Sequence, residues 1–307
     1  MSGVCELHHL GLIRAKGEDA SAFLQAQLTN DVALQPTSQA RLAAWCSAKG
    51  RMLASFVVVR LAADDLLLLC SRDLLAPTLK RLSMFQLRAK LRLSDASAAF
   101  VLHGLVGDAA SALRDVPAWE VLPDPPGDAL VVALPGAAAI ARALRVAPAD
   151  TSAPAAPPAP AIDEAAWLWA EVRSGVARVQ AAVVDAFVPQ MLNYESVDGV
   201  NFRKGCYPGQ EVVARSQFRG AIKRRGFIVR SAAALSPGQE LFEPQDRSQP
   251  CGLVAMAAAV PAGCGPDGAW DAIASLQIGS AQGAPLVTAD GAEVLLQPLP
   301  YPLRTDI

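Results

Sequence analysis

The chain has 307 residues, of which 52% are hydrophobic and 18% charged, and its formal net charge is only −2. This length exceeds what one core usually organises, so two or three subdomains are expected. No segment has about 18 uninterrupted apolar residues, which excludes a membrane-spanning helix. Residues 1–13 contain Glu6, His8 and His9 where a signal peptide would need an apolar core, so we predict a cytoplasmic protein without a membrane partner.

The cysteines and histidines indicate neither a disulfide framework nor a metal centre. The six cysteines are scattered with no CxxC pair, so reduced thiols are expected. The three histidines form no HExxH motif and no ligand cluster. The sequence therefore predicts no dedicated metal site.

The first half of the chain is predicted to alternate strands and helices. Hydrophobic periodicity predicts strands at 7–15, 41–46, 52–60, 66–70, 90–93, 100–105 and 129–134, and helices at 17–29, 73–87, 108–114 and 137–144. Phe85 is placed on the apolar face of the helix at 73–87, and Asp64 and Asp65 in a turn. The AKGR segment at 48–51 reads as a hairpin-like turn with a positive φ at Gly50. This pattern favours an α+β arrangement.

A proline- and alanine-rich segment at 147–161 divides the chain and reads as an extended linker. A helix at 164–174 follows it and is ended by Gly175. This helix carries Trp167 and Trp169, which point about 200° apart and cannot both face one core. One of them is therefore expected to face a cavity.

The last part of the chain has the pattern of a small β-barrel. Short strands are predicted at 222–229, 253–260, 272–278 and 292–296, separated by glycine and proline. A GxGxxG match at 263–268 is rejected as a nucleotide site because it contains Pro266 and no helical pattern follows. We predict domains at 1–146, 162–220 and 221–307, with the linker at 147–161.

The segment NFRKGCYPGQEVVARSQFRG at 201–220 contains the strongest candidate site. Pro208 suits the first position of a helix, which makes Tyr207 the N-cap and puts Gln210 and Glu211 in the first turn. Cys206 would then lie at the helix N-terminus, where the dipole and the nearby Arg203 and Lys204 favour the thiolate. The alternative is a small buried cysteine.

Basic residues are concentrated around this segment. Between 203 and 230 a single acid, Glu211, stands against eight basic residues: Arg203, Lys204, Arg215, Arg219, Lys223, Arg224, Arg225 and Arg230. A solvated strand face is one explanation, and an anionic partner is the other. That partner could be the carboxylate tail of a small molecule, an RNA backbone or an acidic protein surface. Direct tRNA binding is the less favoured option because no RNA-binding signature is present.

These segments carry a resemblance to a known family. The KGCYPGQE run at 204–211 resembles the Lys-Gly-Cys-Tyr-x-Gly-Gln-Glu signature of the YgfZ-type folate-binding proteins, which assist iron–sulfur enzymes. The segments 17–32, 48–51, 189–193 and 298–301 also look like family segments. A wider similarity extends to the aminomethyltransferases of the glycine cleavage system. The resemblance implies an aminomethyltransferase-like folate-binding α+β fold, with a C-terminal small β-barrel and a central folate pocket.

The resemblance also implies a function. It indicates a factor that binds tetrahydrofolate or a derivative and supports iron–sulfur cluster assembly or repair, and thereby tRNA modification. Its partners would be folate and iron–sulfur proteins or their assembly factors. Cys206 would be the functional thiol, and the folate-binding candidates are Trp167, Asn193, Lys204, Tyr207, Gln210, Glu211 and Arg215. Trp167 matches the family tryptophan associated with folate, whereas Leu10 stands where folate binders tend to have an aromatic residue.

Catalysis is not expected from this resemblance. The transferases carry a pair of aspartates on the strand after the glycine turn, and the matching positions here are Leu53 and Ala54. We therefore predict a non-catalytic or weakly catalytic factor. Two alternatives stay open: a folate-dependent aminomethyl transferase, and a thiol redox sensor that binds no folate.

Overall fold

The architecture is given by a computed structural model, which describes residues 1–125, 127–137, 139–149, 159–218, 222–283 and 285–304. Two five-stranded antiparallel sheets and a six-stranded barrel make up the fold. Four helices accompany them: α1 (Ala20–Gln25), α2 (Arg72–Ser83), α3 (Glu164–Arg173) and α4 (Gln210–Phe218). The predicted α+β class is confirmed.

The first sheet lies between α1 and α2 on one face and the second sheet on the other. Its strands are β2 (Leu10–Lys16), β3 (Arg41–Cys46), β4 (Met52–Ala62), β5 (Asp65–Ser71) and β6 (Arg92–Asp95), in the order β3-β4-β5-β2-β6. Strand β5 is buried on both faces because its side chains alternate. Leu66 and Leu68 pack in the cluster beneath the helices, and Leu67 and Leu69 pack toward the second sheet.

The second sheet is formed by strands from the start and the middle of the chain. Its strands are β1 (Gly3–Glu6), β7 (Phe100–Val106), β8 (Val121–Asp124), β9 (Ala129–Ala137) and β10 (Ile140–Pro148), in the order β1-β7-β10-β9-β8. Helix α3 contacts this sheet through β1, β7 and β9 and also contacts the barrel. It therefore lies at the junction of the fold.

The predicted C-terminal barrel is confirmed and closes completely. Its strands are β11 (Arg224–Ser231), β12 (Glu240–Phe242), β13 (Gly252–Ala259), β14 (Trp270–Gln277), β15 (Leu286–Thr288) and β16 (Glu293–Gln297), in the order β11-β14-β13-β12-β15-β16. The fully buried Asp271 joins the barrel to α3, since it accepts hydrogen bonds from Arg230 and from the Trp169 indole at 2.9 Å. The rejected GxGxxG segment is the loop between β13 and β14.

Several predicted elements were wrong. Apart from a turn at Ala139, the described residues of 137–144 belong to strands instead of a helix, because β10 pairs with both β7 and β9 and this pairing overrides the helix propensity of alanine. The strand predicted at 7–15 begins only at Leu10, after a turn at His8 and His9, and the preceding strand β1 was not predicted. The helix at 108–114 is a 3₁₀ turn, and the short strands β8, β12 and β15 were not predicted.

Other boundaries differ by a few residues. Helix α1 is shorter than predicted, and α2 ends at Ser83, so Phe85 is about half exposed and meets Trp45 edge-on. Asp65 is a buried strand residue that binds Arg14, not a turn residue. Most of the predicted linker (150–158), and the boundary at 220/221, lie outside the described residues. Ala147 and Pro148 belong to β10, and the exact domain boundaries stay a prediction.

Candidate functional site

A cavity of about 70 Å³ is lined by residues of both sheets and of α3. Its walls are mostly apolar, with a small group of charged side chains on one side. The residues that matter for its chemistry are Leu10, Trp119, Arg142, Trp167, Glu171 and Arg178. An apolar pocket with a few convergent polar groups is the usual form of a small-molecule site.

Trp167 forms part of the cavity wall, as the spacing of the two tryptophans predicted. Its ring lies against the backbone of β7 at Gly104, where an added Cβ would come within 2.3 Å of the indole. The Arg142 guanidinium stacks over the ring at 4.6 Å from its centroid. The indole Nε1 is buried and has no hydrogen-bond partner among the described residues. Trp167 therefore offers an unpaired donor beside the cavity.

The charged side of the cavity is centred on Glu171. Its carboxylate lies 3.2 Å from Arg178 Nη2 and 3.5 Å from His9 Nε2. Burial alone would raise the pKa of Glu171, but Arg178, His9 and Arg142 outweigh it and hold that pKa well below the ordinary value. Burial lowers the pKa of Arg142 to about 10, a value at which it stays charged at neutral pH. The cavity thus contains a fixed carboxylate between cations.

Arg142, Glu171 and Arg178 were not among the site residues predicted from the sequence. Glu171 follows Trp167 by four positions on α3, so both occupy one face of the helix, and this spacing could have identified it. Arg142 was hidden in a predicted helix. Arg178 lies after α3 and binds Ser71 Oγ at 2.7 Å, a contact that spans 107 residues and leaves no local pattern.

A second, open cleft of about 850 Å³ lies beside the cavity and is lined mainly by polar groups. It contains the side chains of Arg41, Arg203 and Arg304, against one acid, Asp198, which lies 3.7 Å from Arg304. Arg41 Nε is buried and has no partner among the residues that the structure describes. The cavity and the cleft share Leu42 and Trp119 in their walls. The cleft is therefore a positively charged approach to the cavity.

The KGCYPGQE segment folds differently from the prediction at its helix start. Helix α4 begins at Gln210, because Gly209 has a φ of +79° and cannot be a helical residue, so Pro208 is not the first position. Tyr207 is not the N-cap, although its carbonyl accepts a bond from the Gln210 N–H at 3.2 Å. A Cβ on Gly209 would lie 2.3 Å from Ser47 O. Only glycine allows this close packing of the motif on the 48–51 turn, where Gly50 has the predicted positive φ.

Cys206 is exposed, as predicted, in the loop that precedes α4. Four of the other cysteines are buried and Cys264 is half-buried. Burial raises the pKa of the Cys5, Cys46 and Cys70 thiols to about 12. These three thiols are therefore unreactive, whereas Cys206 is open to a partner.

Lys204 is an anchor of this loop. Its Nζ is buried and donates to Gln25 O at 2.5 Å and to Leu28 O at 2.7 Å, which are carbonyls at the end of α1. Its Nζ also lies 4.8 Å from the centre of the Tyr207 ring. Burial lowers the pKa of Lys204 to about 8, with Asp31 and Cys206 acting in the opposite direction. Lys204 thus neutralises the carbonyl end of α1.

Replacing Lys204 by methionine should lower the free energy of unfolding by about 1–3 kcal/mol, because two carbonyl acceptors would lose a charged donor. Methionine keeps most of the apolar stem, so the loss reports on the ammonium group. Urea unfolding would measure it, with Lys49→Met, at an exposed position of the 48–51 turn, as the control. Equal stability of the Lys204 variant and the wild type would contradict this role.

The remaining candidates lie away from the cavity. Asn193 has a φ of +59° and is fully buried, and its amide exchanges two hydrogen bonds with Gly226 and contacts Tyr301. This amide ties the 189–193 segment to the barrel. Three candidates lie on α4 and do not line the cavity: Gln210, Glu211 and Arg215. The structure therefore separates Trp167 from the other predicted site residues.

Much of the basic run serves internal contacts. Arg225 forms a buried ion pair with Glu195, and Arg230 forms one with Asp271. Arg224 donates to the carbonyls of Pro250 and Cys251. Arg203, Arg215 and Lys223 are exposed, and Arg219 is outside the described residues. The surplus positive charge available to a partner is thus smaller than the sequence indicates.

Comparison with known proteins identifies the family. Residues 1–116 match the GCVT N-terminal domain family. The tRNA-modifying protein YgfZ of Edwardsiella ictaluri is 32% identical over 235 residues, which cover 73% of this chain and 70% of that protein. The YgfZ protein of Colwellia psychrerythraea is 31% identical over 232 residues, which cover 74% and 71%. The chain belongs to the YgfZ family.

The YgfZ fold is that of the aminomethyltransferases. Aminomethyltransferase T of the glycine cleavage system from Bartonella henselae aligns over 97% of this chain and 86% of its own, with a TM-score of 0.71 and 15% identity. At that identity the likeness shows the fold alone. The predicted family and fold are thus confirmed. Leu53 and Ala54, the two positions that the resemblance matches to the transferase aspartates, are buried in β4.

Two further observations concern partners. Among the described residues, no group of three or more histidine, cysteine, aspartate or glutamate side chains is arranged to hold a metal ion. Within the same part of the chain, the helices are all too short or too polar to cross a membrane.

Proposed function

We propose that this protein binds tetrahydrofolate, or a derivative, with the pterin ring in the cavity beside Trp167. The observation that carries this proposal is the half-buried Glu171 carboxylate at the cavity wall, which pairs with Arg178 and is also stabilised by the charge of Arg142. A pterin presents amino and ring N–H donors beside a carbonyl oxygen. Glu171 can accept from these donors, and an arginine can donate to the carbonyl. The unpaired Trp167 Nε1 supplies one further donor.

The cleft fits the rest of such a ligand. A folate carries a glutamate tail with carboxylates, and Arg41, Arg203 and Arg304 line the cleft where that tail would lie. A cavity of about 70 Å³ is smaller than the pockets of roughly 300–1,000 Å³ that hold small molecules. The cavity alone is therefore too small for the pterin ring, and we expect it to open into the cleft when the ligand binds.

Replacing Trp167 by alanine should weaken tetrahydrofolate binding by about 1–3 kcal/mol, because an acceptor of the ligand would be left without the indole Nε1–H donor. Isothermal titration calorimetry would measure the dissociation constant. Trp270→Phe is the matched control, since Trp270 packs against the barrel core. Unchanged affinity in the alanine variant would remove Trp167 from the site.

The same proposal assigns a cellular role. The bound folate and the exposed Cys206 would together support the assembly or repair of iron–sulfur clusters in other proteins, including enzymes that thiolate tRNA. Cys206 would act on partner proteins, because its loop is exposed and lies away from the cavity wall. The effect on tRNA would therefore be indirect.

Aminomethyl transfer is predicted to be absent, because Leu53 and Ala54 cannot orient a folate amine or stabilise charge on it. Reconstitution with the other proteins of the glycine cleavage system would test this prediction. Turnover in that assay would favour the transferase alternative. Thiol oxidation without any folate binding would favour the redox sensor.

A further inference from the structure

Trp119 lies on the segment that leads into β8 and has an unusual backbone conformation. Its φ is +73°, which a bulky side chain rarely adopts. Two backbone hydrogen bonds hold it there: its N–H donates to Ala133 O, and its carbonyl accepts from the Ala40 N–H, both at 2.7 Å. Such strain is retained where the surrounding structure enforces it, and it is concentrated at binding sites.

Trp119 lies at the boundary between the cavity and the cleft. Among the described residues, Trp119 and Leu42 line both spaces. Leu42 is a buried residue of β3 that pairs with Val57, so it is fixed by the sheet. Trp119 is only partly buried and lies outside the strands. A rotation of its indole is therefore the simplest change that joins the cavity to the cleft.

The other two aromatic residues of the cavity wall, Phe56 and Trp167, are almost fully buried in the core. The Trp167 ring lies against Gly104 and under the Arg142 guanidinium. Leu10, also in the wall, offers no ring. A flat heteroaromatic ligand that enters from the cleft would meet Trp119 as its aromatic surface.

We propose that Trp119 is a ligand-binding residue that opens the passage to the cavity and then stacks on the ring of the bound ligand. The ligand class is a planar, hydrogen-bonding heteroaromatic ring with an anionic extension. Its identification as a folate rests on the proposed function above. Trp119 supplies the aromatic contact that Leu10 cannot make.

Fluorine NMR of protein labelled with 5-fluorotryptophan tests the stacking directly. The five signals are assigned by single tryptophan-to-phenylalanine variants, and tetrahydrofolate is then added. We expect the Trp119 and Trp167 signals to move and the Trp270 signal to stay. Movement of Trp167 without Trp119 would overturn this inference and leave the proposed function intact. No movement of either signal, with no heat of binding, would overturn both.

Affinity provides the second readout. Trp119→Asn should raise the dissociation constant for tetrahydrofolate about 5- to 100-fold, since asparagine tolerates the positive φ but cannot stack. Trp119→Phe keeps a ring and should bind within about threefold of the wild type. Wild-type affinity in a folded asparagine variant would contradict the proposal. If the asparagine variant does not fold, the phenylalanine variant and the NMR signals decide the question.

Discussion

Replacing Glu171 by glutamine should lower the free energy of unfolding by about 3–5 kcal/mol at neutral pH, because a buried ion pair loses one partner. The change leaves the Arg178 guanidinium without the carboxylate that it binds at 3.2 Å, and Arg142 without a compensating charge. Tetrahydrofolate binding should be lost in the same variant. Urea unfolding and calorimetry would measure the two effects. Glu211→Gln, on the exposed surface of α4, is the control and should change stability by less than about 0.5 kcal/mol.

The difference in the free energy of unfolding between the wild type and Glu171→Gln should be smaller in acid than at neutral pH. The folded-state pKa of Glu171 is depressed, so its contribution is fully present above the unfolded pKa of about 4.3. That contribution is lost as the pH falls from there toward the folded pKa. The gap between wild type and Glu171→Gln should therefore shrink as the pH falls below about 4.3. A gap that keeps growing as the pH falls below that value would contradict the assignment of a charged carboxylate.

Replacing Cys206 by serine should abolish the ability of this protein to support tRNA thiolation in cells. The side chain is exposed, so the fold and the folate affinity should stay close to those of the wild type. The measurement is the content of thiolated nucleosides in tRNA from a bacterium that lacks its own YgfZ protein and expresses each variant. Cys264→Ser is the matched control and should complement fully.

Full complementation by the serine variant would show that the KGCYPGQE loop is a structural turn. Alkylation by iodoacetamide provides an independent check on the isolated protein. Cys206 should react faster than Cys251, whose burial raises its pKa and whose Sγ–H donates to Leu241 O at 3.3 Å. Equal rates at neutral pH would contradict the role of Cys206 as the functional thiol.

The elements that sequence predicted well are those with a strong local pattern. Strands β3 and β5 consist mainly of apolar side chains, which predicts buried strands. Helix α3 ends just before Gly175, whose φ of +69° suits a helix C-terminus. The barrel strands are separated by glycine and proline, which fixed their positions to within a few residues. The turn at Gly50 and the family motif at 204–211 were recognisable because each depends on residue types at consecutive positions.

The cavity could be predicted only in part because its chemistry is non-local. Glu171 meets His9 across more than 160 positions of the chain, and Arg142 was read as helical because alanine surrounds it. The basic run was interpreted as a surface, whereas Arg225 and Arg230 find buried carboxylates on distant elements. In each case the role of the side chain depends on the residue that it contacts in the folded chain, and that residue is distant in sequence.

Titration of the intrinsic tryptophan fluorescence with tetrahydrofolate would show whether the cavity binds a folate. Trp119 and Trp167 both line the cavity, so a ligand there must alter their emission. We expect a saturable change with a stoichiometry of one ligand per chain, which Glu171→Gln abolishes. The absence of a saturable change in the folded wild-type protein would show that the cavity does not bind a folate.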